Sequence, residues 1–144
     1  MNNLDWPGAL NDIKMIKEHF DGKSKSVSVM GFCMGGALTF ASLSSIQGWK
    51  AGGVFYGIPD LNIFRLDKIT AKVIAHFGRE DPLKGFSDAE SAEKLSADAK
   101  QHNYPIDVKI WEGVSHAFCN QDSKYFNSKM RDEAFALTRK VISE

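Results

Sequence analysis

The 144-residue sequence is long enough for one domain with a single core, and its 43% hydrophobic and 25% charged residues are typical of globular proteins. Eighteen basic residues balance eighteen acidic ones, so no net charge favours binding to nucleic acid or to an anionic membrane surface. Two cysteines are too few for a disulfide scaffold, and no apolar stretch approaches the roughly 20 residues that cross a bilayer, so we expect a cytoplasmic protein.

The first third of the sequence predicts a helix, a short strand and a second helix. Apolar residues recur at steps of three and four, the spacing of one helical face, at Trp6, Leu10, Ile13, Ile16 and Phe20. Asp5 is placed to cap this helix and Gly22 to end it. Residues 27–30 alternate and are β-branched, which predicts a strand. Small apolar residues then predict a buried helix over residues 34–44.

Three further strands follow. Residues 51–56 and 73–77 are short apolar runs, as expected of interior strands of a parallel sheet, which need not alternate. Residues 106–110 alternate between apolar and charged side chains. One face of this last strand is therefore predicted to be exposed to solvent, and the strand to lie near an edge of the sheet.

Helices separate or follow these strands. Ser87 and Glu90 have the spacing of a capping box, which predicts that a helix begins there. A final helix carries an apolar stripe from Met130 to Val141. The order α-β-α-β-β-α-β-α predicts a single domain, residues 1–144, of the α/β class: a three-layer sandwich with a mostly parallel sheet. In such sheets the reactive groups gather at the carboxyl ends of the strands.

A cysteine flanked by glycines follows the first predicted strand directly. A strand that turns sharply into a helix at a nucleophile crowds the positions two before and two after it, and Gly31 and Gly35 hold these positions around Cys33. The N–H dipoles of the following helix favour the reactive thiolate. The alternative is an unreactive buried thiol, the commonest fate of a free cysteine. The strand-to-helix context favours the nucleophile.

A carboxylate and a histidine follow two later strands. Asp81 lies in a turn just after the third strand, where a carboxylate can orient a base, although Glu80 competes for this role and Asp-Pro also begins ordinary turns. His116 lies in a loop after the last strand, whereas His76 lies inside a strand and is predicted to be a packed core residue. The chain order of nucleophile, carboxylate and histidine is that of α/β-hydrolases, so we predict Cys33, Asp81 and His116 as the catalytic set.

Aromatic residues divide into a predicted pocket and a predicted core. Tyr56 and Phe118, each near a strand end, are predicted to lie next to the substrate. The predicted core aromatics are Trp49, Trp111, Phe40, Phe55 and Phe126.

A second hypothesis places a redox or metal site at Cys33 and Cys119, because His116 and Cys119 share an H-x-x-C spacing. However, the sequence contains no C-x-x-C motif and lacks the ligand clusters expected for zinc. We therefore predict no metal and no cofactor.

The sequence resembles the dienelactone hydrolase family (carboxymethylenebutenolidases). The resemblance is carried by Gly-Phe-Cys-Met-Gly-Gly at residues 31–36, His-Phe-Gly-Arg-Glu-Asp-Pro at 76–82 and Gly-Val-Ser-His-Ala-Phe at 113–118. It extends from near Pro7 to the last helix. The first motif is specific, since most α/β-hydrolases have serine at the position of Cys33.

The resemblance implies hydrolysis of a small ester or lactone through a thiol acyl-enzyme. Cys33 would attack, His116 would pass protons and Asp81 would hold His116. The backbone N–H of Met34 would form one half of an oxyanion hole.

The chain departs from the family's pattern in two respects. Family members are longer, so we expect a truncated domain without the N-terminal strands, whose exposed strand 27–30 invites homodimer formation. The family's arginine for a substrate carboxylate, four residues after His116, is Asn120 here, so dienelactone itself is not the expected substrate. The alternative to an active hydrolase is an inactive remnant that acts only as a partner-dependent or dimeric binding module.

Overall fold

Four strands form one parallel sheet in the order β1-β2-β3-β4. The structure is a computed structural model, and it describes residues 4–144. The strands are β1 (Val29–Phe32), β2 (Ala51–Phe55), β3 (Lys72–Gly78) and β4 (Ile106–Trp111). The predicted α/β class, the parallel sheet and the edge position of the last strand are confirmed. Because all four strands run the same way, their carboxyl ends meet at one edge of the sheet.

Four α-helices accompany the sheet within residues 4–144, and a 3-10 helix at Leu66–Lys68 joins β2 to β3. The helices are α1 (Trp6–Asp21), α2 (Met34–Ser45), α3 (Ala89–Gln101) and α4 (Ser128–Ser143). The carboxylate of Asp5 accepts a hydrogen bond from the N–H of Gly8 at 3.1 Å, and α1 ends at Asp21, both as predicted. Of the helices described, none is long and apolar enough to cross a bilayer.

The predicted capping box at the start of α3 is wrong. The helix begins at Ala89 after Asp88, and no side chain caps it. Ser87 cannot serve as the cap because its hydroxyl lies against His116, and the carboxylate of Glu90 pairs with Lys94 one turn later.

Helices cover both faces of the sheet. The larger core lies between the sheet and α2 and α3, and it includes Phe40, Val54, Phe77 and Leu95. The smaller core lies under α4 and includes Phe55, Tyr56, Phe118 and Ala134. Of the predicted core aromatics, Phe40 and Phe55 are fully enclosed, whereas Trp49, Trp111 and Phe126 are only partly buried at the margins.

The first strand lies two residues later than predicted and forms an edge of the sheet. Gly31 and Phe32 continue the pairing with β2 up to the residue before Cys33, so the glycine does not end the strand. The side chains of Met30 and Phe32 are 49% and 37% exposed. This edge therefore presents apolar surface to solvent.

Candidate active site

The turn between β1 and α2 holds the backbone of Cys33 in an unusual conformation. Cys33 has a backbone φ of 53°, a left-handed region that residues other than glycine rarely adopt. Its N–H donates to the carbonyl of Phe55 on β2 at 2.9 Å, while its own carbonyl accepts from Gly36 and Ala37 in the first turn of α2. These bonds fix the strained residue between strand and helix, as is typical of a functional site.

Only one of the two flanking glycines is required by packing. A Cβ on Gly31 would overlap the carbonyl of Gly35 and lie 2.7 Å from Oγ1 of Thr39. A Cβ on Gly35 would meet nothing within 4 Å, so the interpretation that both positions are crowded is corrected for Gly35. The second close approach comes instead from Gly57, where a Cβ would overlap the carbonyl oxygen of Cys33.

The structure brings Cys33, His116 and Asp81 into one continuous contact. The Nε2 atom of His116 lies 3.2 Å from Sγ of Cys33, and its Nδ1 atom lies 2.8 Å from Oδ2 of Asp81. An ionised carboxylate only accepts hydrogen bonds, so the proton of the neutral ring sits on Nδ1. The lone pair of Nε2 then faces the thiol, which is the arrangement that a general base requires.

The loops that carry Asp81 and His116 are tied together. The hydroxyl of Ser115 donates to the carbonyl of Glu80 at 3.0 Å, and the N–H of Glu80 donates to the carbonyl of Val114 at 3.0 Å. Asp81 is buried and its Oδ1 accepts from the N–H of Leu83, whereas the side chain of Glu80 points to solvent. The geometry therefore selects Asp81 over Glu80 as the partner of His116.

A cavity of about 340 Å³ opens beside the thiol of Cys33. Besides Cys33, its lining residues are Phe32, Tyr56, Ala117, Cys119, Asn120 and Phe135. No acidic or basic residue is among these lining residues, and their polar side-chain groups are the amide of Asn120, the hydroxyl of Tyr56 and the two thiols. The wall of the cavity is therefore uncharged and largely apolar.

The two predicted pocket aromatics are placed differently. Tyr56 lines the cavity, and its ring centroid lies 5.1 Å from that of His116. Phe118 has no exposed surface and packs under Tyr56 at 5.6 Å, so its interpretation as a residue next to the substrate is corrected. Ala117 adopts φ of 59°, and the following Phe118 lies in the smaller core instead of the cavity.

Burial sets the protonation of three groups around the site. Desolvation raises the pKa of the Cys119 thiol to about 12 and raises the pKa of the Tyr56 hydroxyl, so both stay neutral at pH 7. Desolvation also lowers the pKa of His76 to about 3. His76 accepts from the indole N–H of Trp111 and contacts the hydroxyl of Thr138 at 2.9 Å, so it is the packed core histidine that the sequence predicts.

The site contains residues that the sequence did not assign to it. Gly57 touches the carbonyl of Cys33, Phe32 and Phe135 line the cavity, and the buried Ser87 approaches His116. The pattern of apolar residues along the chain does not predict these roles, because each depends on a contact between segments that are distant in sequence. Among residues 4–144 no cluster of three or more histidine, cysteine, aspartate or glutamate side chains has the arrangement of a metal site.

Comparisons with known proteins find similar sequences over most of the chain. A family model described as the dienelactone hydrolase family matches residues 6–143. A protein named "Putative carboxymethylenebutenolidase" from Saccharolobus solfataricus is 30% identical over 118 residues, which cover 82% of this chain and 44% of that protein. A protein of the same name from Synechocystis is 30% identical over 134 residues, covering 83% and 51%. The chain thus spans about half the length of the curated relatives it matches.

Solved structures share the fold at low sequence identity. The crystal structure of a "Putative Dienelactone Hydrolase" from Klebsiella pneumoniae aligns with a TM-score of 0.80 at 16% identity, covering 94% of this chain and 60% of that one. A Thermogutta terrifontis esterase aligns with a TM-score of 0.68 at 14% identity, covering 94% and 61%. These alignments show the α/β fold.

Proposed function

The chain belongs to the dienelactone hydrolase family, and from this we propose that it hydrolyses small esters or lactones with Cys33 as nucleophile, His116 as base and Asp81 as the residue that orients His116. The observation that carries the proposal is the unbroken contact from Sγ of Cys33 through the imidazole to the buried carboxylate, at 3.2 and 2.8 Å. The first distance places the nucleophile within hydrogen-bond reach of the base, and the second places the base within reach of the carboxylate that orients it.

The reaction begins when Nε2 of His116 takes the thiol proton and Sγ attacks the substrate carbonyl carbon. A carbon–sulfur bond forms, and the carbonyl π electrons move to its oxygen. Met34 is the first residue of α2, so its N–H has no partner within the helix and can donate to this oxyanion. Loss of one such donor costs about 3 kcal/mol of transition-state stabilisation.

The tetrahedral species collapses when the carbon–oxygen bond to the leaving alcohol breaks and His116 returns its proton to that oxygen. Water then attacks the thioester, with His116 again as base, and the thiol is regenerated. Throughout, Asp81 compensates the positive charge that the ring gains when it holds the second proton. The cycle consumes one water and needs no cofactor.

The cavity supports an uncharged acyl group. Asn120 lines the cavity where the family resemblance implies an arginine, and none of the lining residues is cationic. Arg131 acts on the Cys119 thiol in the wall, but its guanidinium is paired with Asp132. Burying an unpaired carboxylate is costly, so we propose that neutral acyl esters react faster than acids of the same size that carry a second carboxylate.

We also propose a reducing compartment and self-association for this protein. A thiol nucleophile must stay reduced, which favours a reducing compartment such as the cytoplasm. The apolar edge of β1, with Met30 half exposed, favours association of two copies through that edge.

The test of the proposed function is hydrolysis of a short activated acyl ester by the protein and by Cys33→Ala. We expect turnover that falls to the uncatalysed rate in the variant. Equal rates for the two proteins would refute Cys33 as the nucleophile. A matched pair of substrates, butyrate and succinate monoesters of one chromogenic alcohol, tests the uncharged acyl group. Faster cleavage of the succinate ester would contradict it.

A further inference from the structure

A fully buried serine lies against the candidate base. Ser87 has no exposed surface, and its Oγ atom is 3.2 Å from Nδ1 of His116. The same nitrogen is 2.8 Å from Oδ2 of Asp81. Two oxygen atoms from different residues therefore share one ring nitrogen. This contact is unrelated to helix capping, since α3 begins after Asp88.

The chemistry of the three groups fixes the direction of these bonds. Nδ1 carries a proton because the ionised Asp81 can only accept. With the proton on Nδ1, the hydroxyl oxygen of Ser87 also accepts from it, so the N–H is shared between two acceptors. When His116 takes the proton of Cys33, both acceptors face a cationic ring. Hydrogen bonds to charged groups are stronger than those to neutral ones, so Ser87 helps most at that stage.

The backbone holds Ser87 in this place independently of His116. The N–H groups of Phe86 and Ser87 both donate to the carbonyl of Leu83, at 3.1 and 3.0 Å, and the N–H of Leu83 donates to Oδ1 of Asp81 at 3.0 Å. Asp81 and Ser87 are thus parts of one hydrogen-bonded turn. The carbonyl of Phe86 accepts from Ile58 at 2.8 Å, which ties this turn to the loop after β2.

Packing leaves the ring of His116 few other positions. The Tyr56 ring lies 5.1 Å from it, centroid to centroid, and the Phe86 ring 6.3 Å. We propose that Ser87 is a positioning residue that shares the Nδ1–H of His116 with Asp81 and orients Nε2 towards Cys33. The inference rests on the proposed function for its kinetic consequence, although the hydrogen bond between Ser87 and the ring does not depend on activity.

A matched pair of variants separates positioning from ordinary packing. Ser87→Ala removes the hydroxyl next to His116. Ser42→Ala removes another fully buried hydroxyl, which donates to the carbonyl of Thr39 within α2. We expect Ser87→Ala to lower kcat about fivefold, the equivalent of one net hydrogen bond, with KM unchanged. Ser42→Ala is expected to keep kcat. Equal kcat for Ser87→Ala and the parent, or an equal loss in Ser42→Ala, would overturn the inference.

A second measurement is independent of turnover. In protein carrying ¹⁵N-histidine and Cys33→Ala, the ring nitrogen shifts of His116 report which nitrogen bears the proton. We expect protonated Nδ1 and unprotonated Nε2 in both proteins, because Asp81 still accepts from Nδ1, and a changed Nδ1 shift after Ser87→Ala, because that N–H loses one of its two acceptors. Shifts that do not respond to Ser87→Ala would overturn the inference. Absence of esterase activity in the parent would instead refute the proposed function, and the ring shifts would still decide the role of Ser87.

Discussion

Gly57 lies directly against the carbonyl of Cys33, so closely that a Cβ at this position would overlap the carbonyl oxygen and lie 2.8 Å from the N–H nitrogen of Ala37. That carbonyl accepts the first hydrogen bonds of α2, from Gly36 and Ala37. The loop after β2 therefore fixes the position of the Cys33 backbone relative to the start of α2. Glycine is the residue that this close approach permits.

Gly57→Ala is expected to displace Cys33 and to lower kcat at least tenfold, because a shift of about 1 Å at a reacting group can cost about a hundredfold. Gly35→Ala is the matched control, since a Cβ there meets nothing within 4 Å and alanine favours the helix. Activity assays combined with circular dichroism separate displacement from unfolding. Retained activity in Gly57→Ala would show that the close contact does not position Cys33.

Asp81→Asn is expected to lower kcat by about 10³- to 10⁴-fold, as in other hydrolases with this arrangement. The amide can donate to Nδ1 of His116, which moves the ring proton to Nε2 and removes the lone pair that faces Cys33. Glu80→Gln is the control, because this neighbouring carboxylate is exposed. Steady-state kinetics of both variants decide the assignment. A larger loss in Glu80→Gln than in Asp81→Asn would reverse it.

His76 is expected to make the protein less stable in acid. Burial lowers its pKa to about 3 from an ordinary value of 6.5, so between these limits the unfolded chain binds a proton that the folded chain does not. The free energy of unfolding therefore falls as the pH drops from about 6.5 towards 3. This group contributes a slope of up to about 1.4 kcal/mol per pH unit.

Urea unfolding at several pH values, in the parent and in His76→Gln, measures this contribution. The amide keeps a partner for Trp111 and Thr138 but does not titrate, so the slope should be smaller in the variant. His19→Gln, at an exposed histidine, serves as the control and should leave the slope as in the parent. A slope that is the same in His76→Gln and the parent would contradict the account.

The exposed edge of β1 is expected to mediate self-association. Met30 is 49% exposed on this strand, and a lysine there should weaken edge-to-edge pairing, as charged side chains do on natural edge strands. Sedimentation velocity over a range of concentrations tests this. The expected result is a dimer in the parent and a monomer in Met30→Lys, with Ile63→Lys, at an exposed residue outside the strands, as the control. A parent that stays monomeric at every concentration would contradict it.

Sequence patterns predicted the strands and the residues that follow them, because buried runs and strand-to-helix turns are local features. Cys33 and His116 could be singled out from their positions after strands, whereas position alone did not separate Asp81 from Glu80. The role of Ser87 could not be predicted, since the same spacing that suggested a capping box also fits a hydroxyl committed to a distant ring. Phe118 was misplaced because a position near a strand end does not show which way a side chain faces: Ala117 lines the cavity, whereas Phe118 lies in the smaller core.

In the proposed mechanism the thiol of Cys33 receives the acyl group. Peptide mass spectrometry after rapid acid quench, with an activated acyl ester in excess, detects this adduct directly. We predict an acyl group on the peptide that contains Cys33 and none on Cys119, whose buried thiol has a pKa raised to about 12. An adduct on Cys119 alone, or Cys33 left unmodified while the ester is turned over, would contradict the account.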